Sequence, residues 1–373
     1  MTPADIEAIS GYLFGVYADI EIDLLANVAG MFRFEDIPAT DEAAAWYFRM
    51  LEEAGALRSK NVRLLARYAK RTEAEIRGIV QRAGFTTLEH DERLYERAFK
   101  AGAVLTQPAA IAMSPRISQI LNTAARNMKQ QFNLVNTTCL ESANGAFMQI
   151  LNKSLLDAST GIKSLQDATR DAVQRMAKEG ITGVKYQKPN GGIIRYNTDT
   201  AVRRAVLTTT SQMTGELQLQ RAREWGCNLV EVSSHGAARP THAVWQGKIY
   251  SIEGGTPQYP NLVETTDYGS VTGLKGANCS HEFYPFFEGI SEQKYEPTPN
   301  KAQNAADYEN TQTLRGMERS MRELKRREAA AAAMNDDKSL EAMRARIKIK
   351  DAEIRQFTKQ TDVPRRKDRE TVA

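Results

Sequence analysis

Residues 228–287 read NLVEVSSHGAARPTHAVWQGKIYSIEGGTPQYPNLVETTDYGSVTGLKGANCSHEFYPFF, and they are unlike the chain on either side. Three of the four histidines, one of the three cysteines and one of the three tryptophans fall within this stretch. Short β-branched runs alternate with Gly, Pro, Asn and aromatic residues, the composition of a small strand-and-loop module. NLVEVSS and GKIYSI are its strand candidates, and any site of the protein is expected here.

The surrounding chain is helix-forming. Thr2-Pro3 pairs an N-cap with a proline at the first helical position, followed by Ile6, Ile9, Leu13, Phe14 and Tyr17 at helical spacing. Thr40 precedes a second helical run with Gly55 near its expected end. Thr72 with Glu75, and Thr86 with Glu89, each fit a capping box and so predict further helix starts. Ser114-Pro115 opens another helix, and two more are expected across 140–158 and 162–178, the latter closed by a left-handed Gly180. Pro-Asn-Gly-Gly at 189–192 joins two β-prone runs as a hairpin, after which a long helix extends from Thr198 to Trp225 with Gly226 as its stop. Beyond Pro299 the chain is polar, charged and helical. Leu314, Met317, Met321 and Leu324 form a narrow stripe there, suited either to a partner helix or to packing within the chain's own helical domain. The fold class expected is α+β: a predominantly helical N-terminal region, a small strand-and-loop module near 228–290 and an extended basic C-terminal helical tail. In chain order the segments are 1–180, 181–226, 227–292 and 300–373.

With 373 residues and 42% hydrophobic content the chain can bury a core. No apolar run approaches the ~20 residues needed to cross a bilayer, and the N-terminus lacks a signal-peptide layout, which predicts a protein made in the cytoplasm without membrane partners. Cys139, Cys227 and Cys279 are widely spaced and odd in number, which does not describe a disulfide framework. The net charge of +4 conceals polarity: residues 1–50 carry nine carboxylates against Arg33 and Arg49, while 315–373 hold seventeen Lys/Arg against eleven Asp/Glu. The two ends are expected to face different partners.

Three chemistries compete for the module. His235, His242, Cys279 and His281 are the residue types of a tetrahedral zinc site. Their spacing, His-x6-His and Cys-x-His, departs from the two close pairs of structural zinc sites, so no cofactor is expected and zinc on these four residues is the alternative. Cys279 and His281, placed on one face of a strand, would also suit a thiol–imidazole dyad, but no helix start follows the cysteine to lower its pKa. Gly269, Gly273 and Gly276 are too irregular for a phosphate-binding loop. The third reading is structural. Arg239-Pro240 fixes a turn, Trp245 and Tyr250 fill a small core, Asn278 holds a turn through its side chain, and Arg239 clamps carbonyls or a carboxylate.

The ordered run VEVSSHGAARPTHAVWQGKIYS (230–251), then YP, DYG and GLKGANCSHEFYPFFEGIS (273–291), resembles the signature block of the phage minor capsid protein 2 family, related to Mu-type head morphogenesis proteins. The preceding helix at 201–226 and the segment YENTQTLRGMERSMRELKRREAAAAA resemble the flanking helices of that family. Its most characteristic positions are His235, Arg239, Pro240, His242, Trp245, Gln246, Gly247, Tyr250, Asn278, Cys279 and His281. Ala277 and Ser280 stand where the resemblance would put an aromatic and a basic residue. Membership implies a non-enzymatic virion protein of a tailed phage or prophage head, associated with the portal and with other capsid or scaffold proteins, assisting head morphogenesis, DNA packaging or ejection.

The acidic N-terminal helices would then dock on a protein surface such as the portal, and the basic helices would lie toward packaged double-stranded DNA. Arg322, Lys325, Arg326 and Arg327 form one DNA-contact cluster, and Arg344, Arg346, Lys348 and Lys350 a second. A solvated helix face with pairs to Glu323 and Glu328 accounts for the same residues. Two other functions compete: a metal- or thiol-dependent enzyme or effector domain at 228–290, and a non-specific DNA-binding protein unrelated to capsids.

Overall fold

The computed structural model describes the chain except residues 1–2, 39–41, 105, 162, 189 and 372–373. The expected caps Thr2 and Thr40 and the hairpin residue Pro189 lie outside the described residues. The fold is α+β and helix-dominated. Eight α-helices are described: α1 (Pro3–Ala29), α2 (Ala43–Lys100), α3 (Pro115–Ser159), α4 (Leu165–Glu179), α5 (Thr198–Glu224), α6 (Leu262–Thr266), α7 (Lys301–Ala333) and α8 (Asp337–Thr361). They accompany a two-stranded antiparallel hairpin, β1 (Thr182–Gln187) with β2 (Ile193–Asn197), and a three-stranded sheet in the order β4 (Ile249–Ser251), β3 (Leu229–Val232), β5 (Phe283–Phe286). No helix among the described residues is long and apolar enough to cross a membrane.

Two expected interruptions of α2 are absent. Thr72 does not open a helix, its hydroxyl donating back to the Tyr68 carbonyl at 2.9 Å, and Thr86 is likewise interior to α2, next to Thr87, whose hydroxyl donates to the Ala83 carbonyl at 2.8 Å. A threonine followed by Glu caps a helix only when the residues before it are not already helical, and here strong helix formers precede it. Gly55 is likewise interior to α2. The helix expected at 140–158 is the second half of α3, which runs unbroken from Pro115, and α4 starts at Leu165 with Ser164 accepting from the Asp167 amide at 3.1 Å. Gly180 ends α4 with φ 74° and ψ 175°, a positive φ but not the left-handed helical turn expected. A Cβ there would lie 2.7 Å from both Asn197 Nδ2 and Glu21 Oε1, so only glycine fits.

The chain forms two compact units that interleave along the sequence. One comprises residues 1–11, 73–131 and 204–312, the other 12–72, 132–203 and 313–373. In the second unit Tyr17 packs edge-on to Phe132 with ring centroids 5.1 Å apart, and Phe32 stacks on Phe147. Its C-terminal helices do not stand alone. Leu314 and Met321 of α7 and Ile354 of α8 bury one cluster, joined by Met317, Ile347, Phe357 and Val363, so the apolar stripe on α7 meets a partner helix within the chain. Asp336 caps α8 and accepts from Arg170 Nε at 2.7 Å.

The first unit holds the 228–287 module. Its core joins Tyr95 and Ala98 of α2, Leu219 and Ala222 of α5, Trp225, and the inward residues of the sheet, Val230, Val232, Tyr250 and Phe283. Tyr95 stacks on Trp225 at 5.5 Å with the rings 7° from parallel. Arg221, buried on α5, is held by both carboxylate oxygens of Glu92, by Glu224 Oε2 at 2.7 Å and by the Ala109 carbonyl at 3.0 Å. A buried guanidinium is tolerable only with its donors satisfied in this way, and the arrangement locks α5 against α2 beneath the sheet.

Candidate functional site

Within the module β3 is the central strand, pairing antiparallel with β4 on one side and β5 on the other, Val230 opposite Tyr250 and Pro285. The two strands read from sequence form at 229–232 and 249–251, and the strand expected to carry Cys279 and His281 begins only at Phe283, as β5, which contains Pro285. That proline is placed on an edge strand, where the missing amide is tolerated. Between β3 and β4 the chain makes the turn expected at Arg239-Pro240, with the His242 amide donating to the Arg239 carbonyl at 2.7 Å. Arg239 Nη2 reaches the Ala277 carbonyl at 3.2 Å, bridging this turn to the loop before β5. Asn278 shapes that loop through its backbone, at φ 55°, with its side chain exposed rather than engaged in the turn.

Cys279 and His281 do not lie on a strand; they belong to the irregular segment leading into β5. That segment still brings the module's conspicuous residues together. His281 lies under the rings of His235, His242 and Trp245, at centroid separations of 4.4, 5.2 and 4.7 Å. Its Nδ1 is 3.7 Å from Cys279 Sγ. One ligand atom from each of His242, Cys279 and His281 lies within 4.8 Å of the others. His235, the fourth candidate, is exposed and stacks across His281 outside that trio.

Gln246 organises the cluster. Its Oε1 accepts from the His235 amide at 3.2 Å, and its Nε2 donates to the His235 carbonyl at 3.3 Å and to Thr298 Oγ1 at 2.6 Å. Backbone donor and acceptor therefore fix which way the amide points. His281 Nε2 faces Oε1 at 2.7 Å and must carry the proton, which leaves its Nδ1 lone pair toward Cys279. His242 Nε2 faces the Thr272 carbonyl at 2.8 Å and must also donate, so its Nδ1 is likewise the basic nitrogen. Burial drives His281 down to about 2, with the cations Lys275 and Arg239, and His235 and His242 when protonated, adding to the effect. Burial also lowers His242, despite its Thr272 contact, and raises the Cys279 thiol. Both imidazoles are neutral at physiological pH. A thiol pushed upward, beside a neutral imidazole, lacks the activation of a nucleophilic cysteine.

Three further residues were invisible in the sequence. Lys275 and Glu282 pair at 2.5 Å with almost no exposure, the lysine also reaching Thr214 Oγ1 at 3.4 Å. A lysine in a Gly-rich loop reads as solvated, and only the loop's burial shows otherwise. Asn304 in the first turns of α7 exchanges two hydrogen bonds with the backbone of Ala238, at 2.8 and 2.9 Å, latching the helix to the histidine-bearing turn.

Most of the signature side chains meet in this one knot, while Pro240 and Asn278 are exposed. The phage minor capsid protein 2 family matches residues 1–359. The chain belongs to that family. It is 26% identical over 387 aligned positions to a structural protein of Lactococcus phage LL-H, covering the whole chain and 99% of that protein. A structural protein of Lactococcus phage mv4 is 32% identical over 120 residues, 31% of this chain and 94% of that relative. No solved structure matches the chain. For this member of the minor capsid protein 2 family, the signature block is thus a hydrogen-bonded core of a small β module. The basic residues proposed for DNA lie elsewhere. Arg326 is buried, donating to the Ala177 and Lys178 carbonyls at the end of α4. Arg322 pairs with Asp199 at 2.9 Å, and Arg327 donates to Gln174 at 3.0 Å. Lys325 is half-buried. On α8, Arg344 pairs with Glu328 and Lys350 with Glu353, while Arg346 and Lys348 are exposed.

Proposed function

We propose that the protein is a low-copy head component of a tailed phage or prophage. In this reading it is made in the host cytoplasm, associates with the portal and procapsid, and assists head morphogenesis, DNA packaging or ejection. The observation that carries this is the match of nearly the entire chain to a phage minor capsid family, together with an end-to-end relative that is a phage structural protein. The site geometry supports it: the signature side chains bond to one another and to backbone, the pattern of a scaffold.

The docking surface is assigned to the acidic N-terminal region, where Asp23, Glu35 and Asp36 are exposed. Carboxylates presented this way suit a basic protein partner and steer its approach. The DNA-facing surface is assigned to α8 through Arg344, Arg346, Lys348 and Lys350; Arg326, being buried, is left out. Co-expression of the full chain with the portal protein of the same phage, followed by co-purification and mass spectrometry of purified heads, tests the reading. A stable complex and a few copies per particle are expected. Particles that lack the chain would sink the proposal.

A further inference from the structure

We propose that His242, Cys279 and His281 form a zinc site that fastens the loop before β5 to the turn between β3 and β4. The donor set is two imidazoles and a thiol, chemistry that favours zinc over harder cations. The ligand atoms already sit within 4.8 Å of one another. Tetrahedral bonds of about 2.1 Å to nitrogen and 2.3 Å to sulfur place neighbouring ligands roughly 3.5 Å apart. The 3.7 Å between Cys279 Sγ and His281 Nδ1 is close to that spacing.

The outer hydrogen bonds are the second and stronger argument. Zinc-bound imidazoles characteristically donate their remote N–H to a carbonyl or carboxylate, which fixes the tautomer and turns the basic nitrogen toward the ion. Both imidazoles do so here, His242 to the Thr272 carbonyl and His281 to Gln246 Oε1, whose own orientation is set by the His235 backbone. Two independent partners thus engage both Nε2 atoms and leave the Nδ1 nitrogens to serve as ligands. Binding exchanges one proton: Zn²⁺ takes the two neutral imidazoles as they stand and displaces the proton of the Cys279 thiol to solvent, forming a Zn–S bond. Three protein ligands leave the fourth coordination position to water. His235 stacks on His281 and is not a ligand.

The test uses the full chain purified without a polyhistidine tag and without chelator, assayed by inductively coupled plasma mass spectrometry. About one zinc per chain is expected, retained in His235→Ala and reduced at least tenfold in Cys279→Ser and in His242→Ala. Because a ligand variant can unfold, cobalt is also substituted into the wild-type protein after chelator treatment. Tetrahedral cobalt d–d bands with a thiolate-to-cobalt charge-transfer band are expected. The proposal is overturned by folded wild-type protein that holds less than about a tenth of an equivalent of zinc even after dialysis against the metal. Zinc content unchanged in folded Cys279→Ser, or a cobalt spectrum with no thiolate band, overturns it equally. In those cases the 3.7 Å contact is an S–H···N hydrogen bond and nothing more.

Discussion

Lys275 Nζ lies 2.5 Å from Glu282 Oε2, and the two side chains, with relative exposures of 0% and 3%, bracket the loop that carries Asn278, Cys279 and His281. The pair closes that loop like a staple from inside the module. Lys275 adopts φ 61°, so the backbone is bent to bring its side chain inward. Removing one partner leaves an uncompensated buried charge, whereas removing both exchanges a desolvated pair for apolar contact. Lys275→Met and Glu282→Gln are each expected to cost about 3–5 kcal/mol, and the double variant Lys275→Met, Glu282→Leu to recover most of that loss. Urea unfolding followed by tryptophan fluorescence reads it, since Trp225 and Trp245 lie in this core. Single variants within about 1 kcal/mol of wild type would show that the pair is solvated.

Glu21 sets a second expectation, this one in pH. Its carboxyl is fully buried, Oε1 accepting from the Ile181 amide at 3.2 Å and Oε2 making no hydrogen bond among the described residues, with Arg326 only distantly placed at 3.9 Å. Burial, reinforced by Asp199 and only partly offset by Arg326, raises its pKa from 4.5 to about 7. Between those values the folded chain binds a proton that the unfolded chain has released. The group's contribution is therefore most favourable below about pH 4.5 and is lost as pH rises to about 7, by at most about 3 kcal/mol. Glu21→Gln keeps the Ile181 contact and removes the titration. The stability advantage of the variant over wild type should grow between pH 4.5 and pH 7.5 in paired melts. A difference that stays flat across that range would mean Glu21 is already ionised in the fold.

Gly247 carries a conformational prediction. It sits at φ 68°, and a Cβ there would lie 2.2 Å from the Glu296 carbonyl oxygen, because residues 293–298 cross closely over the turn. Gln293 donates to the Gly247 carbonyl at 3.0 Å, and Glu231 accepts the amides of Lys294 at 2.7 Å and Tyr295 at 2.6 Å, so the strap is tied at several points. Gly247→Ala adds a left-handed conformation worth about 1–2 kcal/mol to a backbone clash that only strap displacement relieves. The expected result is a loss of at least about 2 kcal/mol and new proteolytic cleavage within 293–298. Unchanged protease resistance would show that the strap is held without this close approach.

What the sequence made legible follows from how local each signal is. The β1–β2 hairpin, α5 with its stop near Gly226, and strands β3 and β4 rest on turn chemistry and periodicity within a few residues, and they appear where read. The continuity of α2 was not legible, because a Thr-x-x-Glu pattern carries the same letters whether the hydroxyl caps a new helix or back-bonds within an existing one, as Thr72 does to Tyr68. At the site, the residue types were legible and their partners were not. That His281 meets Gln246, 35 positions away, and that Asn304 meets Ala238, 66 positions away, depends on the tertiary path of the chain. Arg326 shows the converse: a member of the densest basic run in α7, it is spent on the carbonyl end of α4, because a charge run read in one dimension does not reveal which side faces inward.

The DNA-facing assignment rests on α8 and yields the remaining prediction. Arg346 and Lys348 are exposed and make no ion pair among the described residues, whereas Arg344 is paired with Glu328 and Lys350 with Glu353. Unpaired cations are the ones that release counterions when they meet phosphate, and each such contact contributes about −0.9 to the slope of log affinity against log salt. Replacing both with alanine should flatten that slope by about 1.8 and weaken binding to duplexes of any sequence to the same extent. Arg326→Met should leave the slope unchanged and instead lower stability, since it strips the donors from the Ala177 and Lys178 carbonyls. Titration of a fluorescent duplex at several salt concentrations separates the two effects. A slope insensitive to Arg346 and Lys348 would move the DNA surface off α8, or remove DNA from the protein's partners altogether.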